Sequence, residues 1–338
     1  MSTLWFWTLA AMLAVYAVLD GYDLGVGALH LGLARTPTER SVHFQAIGPV
    51  WNGNEVWLIA AGGMIFAAFP RLYAAAFSGF YLALMVVLWL FILRGVAIEF
   101  RHQISHPLWS EFWDAVFALA SLLLALLLGV ALGNLVRGLP VGPDGYFQGS
   151  FALLLNPYAM LVGLLSLVVL AWHGAEFIRG KSAGAHAERA RRFARILAWV
   201  AAGLGLAATA ATLRLRPAVL ENFERHPLAL LLPAAALAGW LVAWRAPARR
   251  GFAGSSLVIL GLIGAAAATL YPDLLPSSLD PHYSLTVHNA AAGAYALRAA
   301  WIANIFAVSL VAVYSIHIHA RFRGPAVGGQ GYEASGIR

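Results

Sequence analysis

Nine apolar runs, each long enough to cross a lipid bilayer as a helix, divide this chain from end to end. They fall at roughly 4–31, 50–69, 73–98, 113–136, 152–177, 195–213, 227–244, 252–271 and 290–317. A helix rises about 1.5 Å per residue, so about 20 residues span the roughly 30 Å hydrocarbon core of a membrane. Only 11% of the 338 residues are charged and 61% are hydrophobic, where a soluble domain carries roughly 25% charge. So little polar surface requires lipid as the solvent. The expected fold is an all-α integral membrane protein of about nine transmembrane helices. The second run is the least apolar because it opens on Asn52, Asn54 and Glu55; a hydropathy threshold would pass over it and return eight.

Of the 22 Lys and Arg residues, sixteen lie in or beside the links after the odd-numbered runs and five in the links after the even-numbered ones, with Arg298 early in the last run. That bias puts the N-terminus outside and the C-terminus in the cytoplasm. It also accounts for the net charge of +7 without nucleic acid. The first run has no basic leader and contains Asp20 and Asp23, so it reads as a spanning helix and not a cleaved signal. The absence of cysteine excludes disulfides and thiolate ligation of haem or iron–sulfur clusters within the chain. No link is long enough to fold alone; the longest polar stretch is about 178–194. A loose division gives residues 1–180, with a first four-helix bundle and a fifth helix, and 181–320, with the remaining spans. Residues 321–338 form a Gly-rich tail expected to be disordered. The whole is two groups of four helices plus one extra.

With no soluble domain, chemistry has to sit within or at the ends of the helices, where ionisable groups are expensive and face protein or water. Asp20 and Asp23 are three apart on one helix face, among Gly21, Gly25 and Gly27. Paired carboxylates suit a proton carrier, because proximity raises the proton affinity of at least one; the alternative is that both cap or bond neighbouring helices. Asn52 and Glu55 share a face after Pro49, between Trp51 and Trp57, and read either as proton-route groups or as the polar start of an interfacial helix. Arg94 and Glu99 read as structural, with Glu99 paired locally to Arg94 or Arg101. His173 and Glu176, also three apart, read as a salt bridge or helix-end contact, with a proton relay as the alternative. His317, His319, Arg321 and Arg323 look like interfacial anchors with lipid-phosphate contacts.

Most of the 11 histidines, including His30, His43, His102, His106, His186, His226 and His282, lie toward helix ends or in links, and His288 lies at the outer start of the last run. No haem ligand set, metal array, phosphate loop or nucleophile motif is evident. Taken from the residues alone, buried carboxylates in Gly-rich helices also fit a secondary transporter.

Several long motifs in order carry a resemblance. They are residues 19–27 (Leu-Asp-Gly-Tyr-Asp-Leu-Gly-Val-Gly) and 48–58 (Gly-Pro-Val-Trp-Asn-Gly-Asn-Glu-Val-Trp-Leu) with Gly62 and Gly63; then 66–81, 93–97, 133–138 (Gly-Asn-Leu-Val-Arg-Gly) and 156–158 (Asn-Pro-Tyr); and finally Tyr271-Pro272 with 285–291. The chain resembles subunit II of the cytochrome bd quinol oxidases over nearly its whole length, most strongly from 19 to 101. The resemblance implies a prokaryotic inner-membrane oxidase of two large subunits, each two four-helix bundles plus a peripheral helix. Such an oxidase oxidises quinol and reduces oxygen to water with generation of a proton gradient. Its haems, of b and d types, are ligated by subunit I. Subunit II supports assembly, lines a proton route in some members, and in some holds a quinone; a small single-helix subunit often joins. Asp20 and Asp23 match the family's first-helix carboxylates. Where many members have Asp, this chain has Asn52, which hydrogen-bonds but does not carry a proton as a carboxylate does. Glu55 or the Asp20–Asp23 pair then substitutes, or protons enter through subunit I.

Overall fold

The computed structural model describes residues 1–326; the end of the Gly-rich tail, 327–338, with Arg338, lies outside them. Twelve α-helices make up the described chain. The first, α1 (Ser2–Leu33), runs from the face that holds the N-terminus (the N-face) to the opposite one (the C-face). There an amphipathic helix, α2 (Pro37–Ile47), is capped by Thr36 and turns the chain into α3 (Trp51–Ala68). The third apolar run is not one helix but two, α4 (Pro70–Gly79) and α5 (Tyr81–Phe100), interrupted at Phe80. Pro70 sits at the first helical position, where its missing N–H is harmless.

After α6 (Pro107–Arg137), α7 (Pro157–Lys181) begins five residues later than the apolar run, behind a 3-10 turn at Phe151–Leu155 and an Asn156 cap. The stretch 178–194, expected as a polar loop, is almost entirely helical: α8 (Gly184–Leu215) starts just after α7 ends. Its charges support it, with Glu188 near Arg191 and Arg192 at helical spacing. The chain continues through α9 (Val219–Arg225), α10 (Leu231–Arg245), α11 (Ala248–Leu270), a short antiparallel hairpin of β1 (Asp273–Leu275) and β2 (Leu285–Thr286), and α12 (Ala294–Arg321).

Among the described residues, eight helices are long and apolar enough to cross a membrane, and α3 is not one of them. Yet α3 runs the depth of the bundle. Its C-terminal Ala68 accepts from Ala292 N at the N-face (2.9 Å), and Trp57 Nε1 donates to Ser315 Oγ toward the C-face (3.1 Å).

The core is organised around α1, which packs against α3, α6, α7 and α11. Gly25 and Gly174 bring α1 and α7 into backbone contact. A Cβ on Gly25 would meet the Leu170 carbonyl, and one on Gly174 would meet the Gly25–Val26 peptide. Gly129 and Gly163 repeat the device between α6 and α7. In contrast α12 rests mainly on α3 and turns Ile302, Phe306, Leu310 and Val313 outward. Replacing Gly25 by Val is expected to destabilise the fold by at least about 1–3 kcal/mol, because backbone on the facing helix cannot give way. The yield and thermal midpoint of the detergent-purified protein check this, with Gly25→Ala affected in the same direction.

Candidate functional site

Close approach of α6 and α7 leaves residues 20–27 of α1 fully enclosed, and Asp20 and Asp23 have no exposed surface. Carboxylates in such a place need charged or hydrogen-bonding partners. Arg94 of α5, also fully buried, supplies them. Its Nη2 lies 2.5 Å from Asp20 Oδ1 and its Nη1 3.1 Å from Asp20 Oδ2, a two-pronged fork. The same guanidinium reaches Glu55 Oε1 of α3 at 3.2 Å and lies 3.9 Å from Asp23 Oδ2. Three carboxylates therefore share one arginine. Arg94 thus makes a long-range fork with Asp20, and Arg101 pairs with Asp114.

Asn54 joins this cluster to a second chain of bonds. Its Nδ2 lies 2.7 Å from Asp23 Oδ2, 2.9 Å from Tyr22 Oη and 3.0 Å from the Leu19 carbonyl. Tyr22 Oη in turn lies 2.9 Å from His319 Nε2 of α12. His319 Nδ1 donates to the Ser315 carbonyl at 2.7 Å, so the neutral ring presents Nε2 as an acceptor to the Tyr22 hydroxyl. Asp23 Oδ1, Asn54 Oδ1 and Arg94 Nε are buried with no protein partner among the described residues. Buried polar atoms of this kind are ordinarily met by internal water.

Asn52 lies elsewhere. It is exposed, on the same outward stripe of α3 as Ile59 and Phe66, while Asn54, two residues on and so on the other side of the helix, enters the cluster. Glu55 stands at the boundary: its side chain is 21% exposed, the one partly open carboxylate of the three. The buried stripe Asn54, Trp57, Ala61, Met64, Ala68 has helical spacing and is the sequence signal that separates Asn54 from Asn52.

A second polar cluster, not foreseen as a unit, lies under the C-face. Asp114 of α6 receives Arg101 (Nε to Oδ1, 2.5 Å), Arg40 (3.2 Å) and His30 Nε2 (2.9 Å). His30 Nδ1 meets His43 Nδ1 at 3.0 Å, and His43 Nε2 meets His186 Nε2 of α8 at 3.2 Å. Burial, with His30, His186 and Arg101 close by, holds His43 of α2 well below the ordinary histidine value. The chain His186–His43–His30–Asp114 ties α2, α8, α1 and α6 together.

The sequence profile of the family described as cytochrome bd terminal oxidase subunit II matches residues 1–322. The chain belongs to this family. It is 34% identical to the probable cytochrome oxidase subunit 2 of Haemophilus influenzae, over 94% of this chain and 93% of that protein. It is 33% identical to the cytochrome bd-I ubiquinol oxidase subunit 2 of Escherichia coli K12, over 92% and 91%. The cytochrome bd ubiquinol oxidase subunit 2 of Bacillus subtilis is also 33% identical, over 95% of both chains. The fold matches a chain of the bd oxidase from Geobacillus thermodenitrificans with a TM-score of 0.77 at 19% identity, covering 95% of this chain and 97% of that one.

Cytochrome bd oxidases contain haem, and among the described residues the deeply buried histidines of this chain are not placed to ligate it. Among the described residues no group of three or more His, Cys, Asp or Glu side chains is placed to hold a metal. The deeply buried histidines have both ring nitrogens engaged: His30 and His43 as above, and His173 with Ser255 Oγ (2.7 Å) and the Val18 carbonyl (3.0 Å). A haem axial ligand needs a free ring nitrogen. His173 and Glu176 also do not pair with each other. They share a helix face but find different partners: His173 bonds Ser255 of α11 and the Val18 carbonyl of α1, while Glu176, nearly one turn closer to the helix end, lies against Gly251 of α11 and binds Arg179 at 3.1 Å.

Two outcomes follow. Arg94→Met leaves Asp20 buried without a counter-charge and is expected to destabilise the protein by about 3–5 kcal/mol, with much of that regained in Arg94→Met/Asp20→Asn; thermal unfolding of the purified protein measures both. The other concerns pH. His43 stays unprotonated in the fold, whereas the unfolded chain's histidine takes a proton near pH 6.5. The unfolded state thus binds more protons below that value, and stability is lost as pH falls through it, by at most about 1.4 kcal/mol per pH unit for one group. Thermal midpoints recorded from pH 7.5 to 5.5 should show this loss, and a smaller one in His43→Gln.

Proposed function

We propose that this chain is the non-haem-ligating subunit of a membrane quinol:oxygen oxidoreductase and that it leads protons toward a haem-bearing partner, subunit I. Reducing one oxygen molecule to two waters consumes four electrons, which quinol supplies, and four protons, which have to reach the oxygen site from one side of the membrane. The observation that carries the reading is the carboxylate cluster on Arg94, bonded at one end to a C-face chain of side chains and partly open at the other.

In this reading a proton arrives at His319, passes to the Tyr22 hydroxyl, and then to Asp23. Asn54 keeps the Tyr22 and Asp23 oxygens on one nitrogen but carries no proton itself. Arg94 holds Asp20, Asp23 and Glu55 near one positive charge, so that a proton can shift among them without leaving an unbalanced ion in an apolar interior. Glu55 then presents it at the outward stripe of α3. That stripe, with Asn52, Ile59 and Phe66, is the surface assigned here to subunit I; Asn52 contributes a hydrogen bond there and no proton. Glu99, His173 and Glu176 fall outside this route and act as structural groups.

The remaining features of the reading follow from the family and from charge. Haems of b and d types belong to subunit I. The C-face, which gathers Arg35, Arg40, Arg101, Lys181 and Arg189, faces the cytoplasm of a prokaryotic inner membrane, with the N-terminus outside. The nine traverses form two four-helix bundles, in residues 1–180 and 181–320, and a peripheral helix. A bound quinone and a small single-helix subunit complete the assembly.

Purification in mild detergent should bring down a haem-bearing partner, with a b- and d-type difference spectrum and quinol-dependent oxygen consumption. A colourless chain that exchanges solutes in liposomes would point to a transporter instead. Within the assembled complex, Asp23→Asn and Glu55→Gln are expected to leave the haem spectrum unchanged and to slow oxygen consumption roughly tenfold or more, since each removes a proton-carrying group. Unchanged turnover in both would leave only an assembly role.

A further inference from the structure

At the C-face, the last turn of α7, the first turn of α11, the elbow between α2 and α3 and the end of α12 enclose a cavity of about 270 Å³. One wall is aromatic: Tyr22 and Phe177 stack at 4.1 Å, and Phe252 packs edge-on to Tyr22. The rim is basic, with Lys181, Arg249 and Arg323. Glu176 also lines the space, but its charge is taken by Arg179. Lys181 Nζ donates to the carbonyls of Phe322 and Gly324 and, among the described residues, meets no carboxylate. Among the described residues no acidic group lies within ion-pair distance of Arg249 or Arg323. The rim thus carries three positive charges that no acidic group among the described residues balances.

The start of α11 sharpens the imbalance. Arg249 and Arg250 occupy its first turn, which has no side-chain cap and no acidic residue. Cations there oppose the positive end of the helix dipole, and the first N–H groups lack helical acceptors. An anion placed in the cavity meets the free N–H groups, the dipole and the Arg249 guanidinium together.

Depth and size identify the anion. The cavity sits where three membrane-length helices, α7, α11 and α12, begin or end, the level of lipid headgroups. It is smaller than a pocket that encloses a whole drug-sized ligand, about 300–1,000 Å³, so a headgroup can enter while acyl chains lie outside along the apolar helices. Arginines suit the two-pronged recognition of phosphate oxygens, and unpaired charge on the rim disfavours a neutral ring such as a quinone. We propose that this cavity binds the phosphate headgroup of an acidic phospholipid, held by Arg249 and Arg323 with Lys181, at the start of α11.

The test uses the complete oxidase complex, delipidated in mild detergent and titrated separately with phosphatidylglycerol, phosphatidylcholine and inorganic phosphate. Binding is read by thermal midpoint and by native mass spectrometry of retained lipid. Phosphatidylglycerol is expected to raise the midpoint and to bind roughly tenfold or more weakly to Arg249→Ala/Arg323→Ala, the loss of one to two charge-assisted contacts. Arg249→Lys/Arg323→Lys should retain part of the binding, and Arg250→Ala, which does not line the cavity, all of it. Haem spectra of the variants should match the parent, which separates lost binding from lost folding. Equal binding by parent and double variant overturns the proposal, as does phosphatidylcholine binding as tightly as phosphatidylglycerol. So does full competition by inorganic phosphate at equal concentration, which marks a free-anion site, or a quinone retained there in place of phospholipid.

Discussion

The fork between Arg94 and Asp20 is the interaction on which the arrangement of this bundle turns. A guanidinium and a carboxylate with no exposed surface are tolerable in an apolar interior only as a pair with good geometry. The pair fixes α5 to α1, and through Glu55 and Asn54 it fixes α3 to both. The glycines of α1 matter for the same reason. By letting α7 touch backbone at Gly25 and Gly174, they close Asp20 and Asp23 off from bulk solvent and leave Arg94 as their only positive partner within ion-pair distance among the described residues.

Seen this way, the low hydropathy of α3 has a physical cause. Two of its three polar residues near the start turn toward protein: Asn54 points into the cluster and Glu55 lies at the cluster's edge, while Asn52 is exposed on the stripe proposed to face subunit I. A helix whose polar side chains are all met by protein can stand at membrane depth without the apolar length a lone span requires. The same logic explains why eight helices pass a hydropathy threshold while α3 still runs the full depth.

The residues Asp20, Asp23, Glu55 and Arg94 were each conspicuous in the sequence, because charge in an apolar run is rare and stands out. The apolar runs themselves placed most helices to within a few residues. What the sequence did not reveal was which charge meets which. Arg94 lies 74 residues from Asp20 in the chain, and only the folding of the bundle brings the two together. Asn52 drew attention as a departure from the family pattern, while Asn54, noted only as part of the polar start of the second run, makes the contacts, a difference of half a helical turn. His30, His43 and His186 lie far apart in sequence and at helix ends, so no spacing could announce that they form a line to Asp114. The 178–194 stretch misled for a different reason: hydropathy measures lipid affinity, and a helix that leaves the membrane and continues in water, with Arg189 bonded to the Leu33 carbonyl and to Glu39, carries no apolar signature.

The bonds around Tyr22 have a direction as well as a length. Asn54 offers only N–H to the phenol oxygen, and His319 spends its own N–H on the Ser315 carbonyl, so at rest the phenol hydrogen points to His319 and away from Asp23. When His319 gains a proton on Nε2 the order reverses: the ring becomes the donor, and the phenol hydrogen has to swing inward. In the proposed route one hydroxyl is therefore a turnstile, turned by the charge state of a ring at the bundle's end, with a single proton passed for each half-turn.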